Sequence, residues 1–222
     1  MTGRKTATPA RPRAKESDGS IRERVLTAAF AVFRKHGFSD ASTLEIATRA
    51  QVSKRDLYAL FGSKHAMLTA CIRERASRMR QPLDLAVSVA NSSEAVAGTL
   101  VELGTSILSV ACQPDVLVIH RLAIAESDRA PEIARALDSN GREANHAALG
   151  AWLAGAQARG LIGPGDPAAM ATNFLAVLWG GLLIQLLLRV RVTPTADEIA
   201  SRAQAATKAI LTLYPPPRAR AQ

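Results

Sequence analysis

Between Ser42 and Lys64 the chain carries two short amphipathic segments with almost nothing between them, and this stretch constrains the fold most. Ser42 suits a helix N-cap, and Glu45 three residues on completes a capping box. Ile46, Ala47 and Ala50 then share one face at helical spacing. Gln51-Val52 interrupts the pattern. Ser53 caps a second helix, with Asp56 as the acidic partner of its first turn. Leu57, Leu60 and Phe61 carry the apolar stripe of that helix, and Gly62 ends it. The outward positions of its first turns are Lys54, Arg55 and Tyr58, with Asp56 beside them. Two cations and a phenol at the positive end of a helix dipole suit a DNA major groove.

The charge distribution points the same way. Residues 1–80 hold 17 Lys and Arg against 7 Asp and Glu, a net of +10, and residues 81–222 hold 11 against 12, a net of −1. Solubility alone would account for a diffuse excess, but not easily for one confined to the end that contains the helix pair. Few aromatics, abundant Ala and Leu and no alternating Val/Thr/Tyr runs predict an all-α chain. A length of 222 residues leaves ample material for a buried core.

These residues resemble the DNA-binding domain of the TetR/AcrR family of bacterial transcriptional repressors. The family pattern runs (T/S)-(V/M)-x-x-I-A-x-x-A-G-V-S-x-G-T-L-Y-x-(Y/H)-F-x-S-K. Ser42, Ile46-Ala47, Ala50, Val52-Ser53, Leu57-Tyr58, Phe61 and Ser63-Lys64 match it. Gln51 stands where a turn glycine is usual, Arg55-Asp56 replaces Gly-Thr, and Leu60 replaces an aromatic or His. The motif covers Val25 to Leu68. Further on, Arg121 to Leu137 (R-L-A-I-A-E-S-x-R-x-P-E-I-A-R-A-L) is similar to the C-terminal domain of an AefR-like subgroup. The resemblance implies a dimeric, ligand-responsive, cytoplasmic repressor that is not an enzyme. It has a three-helix helix-turn-helix domain at residues 20–65 and a larger helical domain for ligand and dimerisation at residues 66–214. The expected DNA-facing set is Ser42, Thr43, Ser53, Lys54, Arg55, Asp56, Tyr58 and Lys64. Lys54, Arg55 and Tyr58 face the groove, and Ser42 and Lys64 hold phosphates. Lys64 lies in the first turn of the next helix, a poor place for a cation unless a phosphate sits there.

Taken in order, residues 1–19 are basic, contain Pro9 and Pro12, and have no apolar run that could serve as a secretory signal. They read as a disordered arm. Arg4, Lys5, Arg11, Arg13 and Lys15 serve either solubility or additional contacts with DNA. Ile21 to His36 form a first helix, with Val25, Ala29, Val32 and Phe33 on its inner face and Gly37 after its end. Ser63 opens a helix to about Met79, which Pro82 ends. Ser92 or Ser93 opens the next, to Ala111. Pro114 and Pro131 each open another. Gly141 either breaks or bends the stretch that continues through Trp152 to Gly160. Asp166-Pro167 starts a long apolar helix to about Val190. Thr195 and Glu198 form a second capping box for the last helix, which ends at Leu213, and residues 215–222 form a tail.

Ala168 to Leu188 is 21 residues without a charge, long enough to span a membrane. Thr172, Asn173, Gln185 and the central Gly180-Gly181 argue instead for a helix covered by its own domain on one side and by a second subunit on the other. The expected dimer seam is Phe174, Val177, Leu178, Gly181, Leu182 and Gln185, facing Ile199, Ala203, Ala206 and Ile210. His120, Arg121, Asn145, His146, Trp152, Asn173 and Trp179, polar or amphipathic with apolar neighbours, are the candidate pocket for a small hydrophobic effector. Cys71 and Cys112 lie in apolar helical patterns and read as core residues, with a redox sensor as the alternative. The four His have no ligand spacing with Cys or acids, so no metal or cofactor is expected. No nucleophile elbow, phosphate-binding glycine loop or catalytic carboxylate pair stands out. The competing reading is a helical small-molecule-binding or membrane-associated protein with a basic end.

Overall fold

The computed structural model describes residues 18–86 and 92–217, and the expected N-terminal arm lies almost wholly outside them. All regular structure among the described residues is helical. Helix α1 (Asp18–His36) buries its Val25, Ala29, Val32 and Phe33 face completely, in a core shared with α2 (Thr43–Ala50) and α3 (Lys54–Phe61). Phe38, Ile46, Ala47, Leu57 and Phe61 complete this small core. Gly37 ends α1 at φ +78, a left-handed conformation open to glycine without steric cost.

Helix α4 (Lys64–Ala86) links the two halves of the chain. Its first half, through Met67, Leu68, Cys71 and Ile72, belongs to the core of α1–α3. Its second half, through Met79, Leu83 and Ala86, belongs to the larger core. A boundary at residue 65 or 66 therefore falls in the first turn of a shared helix. Pro82 was expected to end α4 but lies inside it, with helix continuing to Ala86. Proline at 82 leaves the Arg78 carbonyl without its helical donor. The Ser106 hydroxyl donates to that carbonyl at 3.1 Å, so the neighbouring helix replaces the missing bond.

Helix α5 (Ser93–Ala111), capped by Ser92, is the central rod of the larger half, packed against α4 and α11 (Ala196–Leu213). Gly104 sits where α11 crosses it, and a Cβ there would lie 3.0 Å from the Ala203 Cβ. Helices α6 (Pro114–Ala125) and α7 (Pro131–Leu137) lean on the smaller core through Val116, Ile119, Ala123, Ile133 and Ala136. Gly141 does not break the chain. A π-helical turn over Asp138–Glu143 joins α7 to α8 (Ala144–Ala158).

The single long apolar helix expected from Asp166 to Val190 is two helices. Helix α9 (Pro167–Trp179) stops at Gly180 (φ +43) and Gly181 (φ +84), and α10 (Leu182–Leu187) follows in a new direction. Two successive left-handed residues cannot continue a right-handed helix. By length and composition, α5 is the described helix that matches a membrane span. Its Val96, Leu100, Leu103, Ile107 and Leu108 are buried in the larger core.

The expected seam also changes. Phe174, Leu178, Leu182, Ala203, Ala206 and Ile210 are fully buried, and Ile199 nearly so, within the chain's own core. They occupy the inner stripe of their helices and have no surface left for a partner. Of the ten, Val177, Gly181 and Gln185 are exposed. The large apolar side chains that these segments do expose are Val177, Ile184, Leu188, Val190, Val192 and Leu213.

Candidate nucleic-acid interface and ligand cavity

The α2–α3 pair presents a continuous polar face. The Ser42 Oγ accepts from the Glu45 N–H at 3.4 Å. The Glu45 carboxylate does not close the expected capping box. It pairs with Arg49 at 2.9 Å and lies 3.1 Å from a ring nitrogen of His36. At α3 the Ser53 Oγ accepts from the Asp56 N–H at 3.0 Å and donates to the Asp56 carboxylate at 2.7 Å. The first bond satisfies one end donor, the Asp56 N–H, that would otherwise be orphaned, and the second holds the Asp56 carboxylate at the helix start. Tyr58 donates its hydroxyl to the Thr43 Oγ1 at 3.3 Å, joining the two helices at the surface. The Lys54 ammonium lies 5.9 Å from the Tyr58 ring centre. Arg55 is exposed and forms no ion pair with the described residues.

Gln51 takes the left-handed conformation (φ 55, ψ 42) that a turn glycine would adopt freely. The Gln51 and Val52 N–H groups close back onto the Thr48 and Ala47 carbonyls at 3.2 and 3.0 Å. Arg24 reaches across from α1 and donates to the Ala50 carbonyl at 3.1 Å. Lys64 serves the free protein in a way its sequence position did not announce. Its ammonium donates to the Ser39 carbonyl at 2.9 Å and the Ala41 carbonyl at 3.3 Å, over the Phe38 ring at 4.8 Å. It therefore anchors the turn that leads into α2.

The same turn is tied to the larger half. Ser39 donates to the Glu126 carboxylate at 2.9 Å, and Arg34 pairs with Asp115 at the start of α6. These contacts join the two ends of α6 to the end of α1 and to the turn that leads into α2.

Behind α6 a mainly apolar cavity of about 940 Å³ opens between α4, α6, the π-helical turn, α8 and α9. Four of the seven expected pocket residues line it: His120, Asn145, His146 and Trp179. The other three are employed elsewhere. Arg121 donates to the Leu186 and Leu187 carbonyls at 2.6 and 3.0 Å, capping α10. Trp152 is buried in the larger core. Asn173 donates to the Tyr214 hydroxyl at 3.2 Å. The sequence reading overlooked Phe30, Arg75, Met79 and Thr172, which also line the cavity. A signal for Arg75 existed: Ile72, Arg75, Ala76 and Met79 fall at i, i+3, i+4 and i+7, so a cation sits within an apolar helical stripe.

Most polar groups on the wall are paired. The His120 Nδ1 donates to the Val116 carbonyl at 3.0 Å, leaving Nε2 as an acceptor. Burial holds this imidazole below its usual pKa, partly opposed by that hydrogen bond. The Thr172 hydroxyl donates to the Ala168 carbonyl at 3.0 Å, so the His146 Nε2, 2.9 Å away, donates to Thr172. Asn145 accepts from Arg80 at 2.9 Å and donates to the Met79 sulfur at 3.2 Å. A second groove of about 800 Å³ lies over α1, α3 and α4, and its wall carries Arg22, Glu23, Arg73 and Glu74. Cys71 and Cys112 are buried free thiols, pushed up to about 12 and about 11 by desolvation. That suits core residues, because the thiolate is the reactive form. Among the described residues no cluster of His, Cys, Asp and Glu could hold a metal ion.

Comparison with known proteins bears on both halves. Residues 25–71 match the family model described as bacterial regulatory proteins, tetR family. Residues 98–216 match the AefR-like transcriptional repressor, C-terminal domain. No curated protein matches the chain in sequence. Among solved structures, a protein of Mesorhizobium loti assigned as a TetR-family transcriptional regulator is 25% identical, with a TM-score of 0.73 over 90% of this chain and 99% of that one. A TetR transcriptional regulator from Agrobacterium tumefaciens is 25% identical, with a TM-score of 0.71 over 87% and 94%. The flavonoid-responsive regulator FrrA is 28% identical, with a TM-score of 0.64 over 90% and 100%.

Proposed function

Because this chain belongs to the TetR family of transcriptional regulators, non-enzymatic DNA-binding proteins, with a C-terminal domain of the AefR-like type, we propose that it is a cytoplasmic repressor. It binds a palindromic operator as a homodimer and leaves it when a small hydrophobic effector fills the α4–α9 cavity. The carrying observation is the surface of α3. Lys54, Arg55 and Tyr58 are exposed at a capped helix N-terminus, and Arg55 forms no ion pair among the described residues. A guanidinium in that position is available to the acceptor edge of a guanine. Ser42, Thr43, Ser53 and Lys64 surround it as candidate phosphate contacts. Asp56 takes part through the Ser53 cap, by fixing where Lys54 and Arg55 point.

Two-fold pairing through the outer faces of α9, α10 and α11 sets two α3 helices about 34–36 Å apart, one turn of DNA. Val177, Ile184 and Leu213 are the apolar anchors of this interface, in place of the inner stripe expected from sequence. The effector reading draws on the cavity's apolar wall and on its links to the helix pair through Arg34–Asp115 and Ser39–Glu126. FrrA, by its name, responds to flavonoids, which supports ligand control in this chain.

The test is gel retardation with promoter fragments carrying palindromes, against competitor DNA at a stated salt concentration. Specific binding is expected, and Arg55→Ala should cost about 1–3 kcal/mol and relax base preference. If the affinities of that variant for the operator and for mismatched sites were each unchanged from the wild type, Arg55 would be removed from base reading.

A further inference from the structure

Effector control leaves the chemistry of the ligand open, and one side chain in the cavity narrows it. Arg75 lies in the apolar wall with its guanidinium carbon 3.3 Å from the centre of the Phe30 ring. One of its N–H groups donates to the Cys71 carbonyl at 3.2 Å. It has no ion pair among the described residues, and the acids whose charge acts on it are engaged elsewhere, Glu74 by Arg78 and Asp115 by Arg34. The other charges on the cavity wall are Asp138 and Arg142, which neutralise one another. His120 is biased to its neutral form by burial. Arg75 is thus the uncompensated charge of an otherwise apolar enclosure.

We propose, resting on the effector reading above, that this cavity takes an amphipathic organic anion, an apolar body bearing one carboxylate, and that Arg75 binds the carboxylate. A wholly apolar ligand would bury the guanidinium further without an anionic partner, which is costly. A cation would meet Arg75 and no free acid. A carboxylate accepts two parallel N–H groups from the guanidinium fork. The same contact reaches the DNA-binding half. Phe30 belongs to α1 and packs in the smaller core, so a carboxylate that draws on the guanidinium edge shifts a group seated over that ring and alters the α1–α4 contact. Lys64, which anchors the entrance to α2, lies 11 residues earlier on α4, about 16 Å along the axis at about 1.5 Å per residue.

The experiment uses the full chain and matched probes, dodecanoate against dodecan-1-ol and biphenyl-4-carboxylate against biphenyl-4-carboxamide. Binding is followed by thermal shift and by titration with and without operator DNA. In the wild type at least one acid should bind about tenfold or more tightly than its neutral partner and lower operator affinity, as expected for a charge-assisted contact. Arg75→Gln, checked for helical content, should lose that preference, and Arg75→Lys should keep part of it. Should Arg75→Gln fail to fold, the wild-type preference and Arg75→Lys decide. Equal binding of acid and neutral partner with release of operator overturns the anion assignment and leaves the effector reading intact. A preference that survives in Arg75→Gln removes Arg75 from the site. Absence of binding by all four probes overturns both.

Discussion

Replacing Lys64 with Met keeps the aliphatic stem and removes the ammonium. In the free protein that ammonium holds two carbonyls of the turn into α2 and covers the Phe38 ring. Ser39 is exposed, so its carbonyl regains water and the loss there is small. Ala41 is buried, so its carbonyl loses a charge-assisted bond, about 1.5–2 kcal/mol at the lower end of the usual range. The half-exposed cation–π contact adds about 0.5–1 kcal/mol. Lys64→Met should therefore destabilise the chain by about 2–3 kcal/mol, read as a lower urea midpoint at unchanged slope. Anisotropy titration of operator DNA from low to high salt then separates the two roles of this lysine. If Lys64 also contacts a phosphate, the slope of log affinity on log salt shrinks by about 0.9 per phosphate lost. If it only holds the turn, affinity falls and the slope stays. A urea midpoint equal to that of the wild type would refute the assignment of the ammonium to these carbonyls.

Gln51→Gly should stabilise the chain by about 0.5–1 kcal/mol, since relief of left-handed strain of about 1–2 kcal/mol exceeds the added chain entropy; thermal melting checks it. Gly104→Val should cost about 1–3 kcal/mol by forcing α5 and α11 apart at Ala203, seen as a lower denaturant midpoint. His120 makes stability depend on pH. Its folded pKa lies below the ordinary value of 6.5, so the unfolded chain binds the proton more readily. The contribution of His120 is complete above about pH 6.5 and declines as pH falls below it. Urea midpoints measured from pH 7.5 down to 5 should drop more steeply for the wild type than for His120→Gln.

Local rules carried the DNA-binding half. Caps at Ser42 and Ser53, the apolar spacing of Ile46, Ala47 and Leu57, and the outward Lys54-Arg55 all depend on neighbours within four residues, and the structure places these elements where the pattern did. The sequence by itself determined the all-helical class, the α2–α3 pair and the start of nearly every helix. Each follows from a cap, a proline or a period written in a few adjacent residues. Tertiary structure decided the rest. Pro82 continues a helix because Ser106 of α5 supplies its missing bond. The stripe of Phe174, Leu178, Ala203 and Ile210 is apolar in either reading, and only the position of α5 turned it inward. Arg75 became a cavity residue because Phe30, 45 positions away in the chain, lies beneath its guanidinium. Periodicity states that a face is buried. What buries it is settled by residues distant in sequence, whose contacts leave no local pattern.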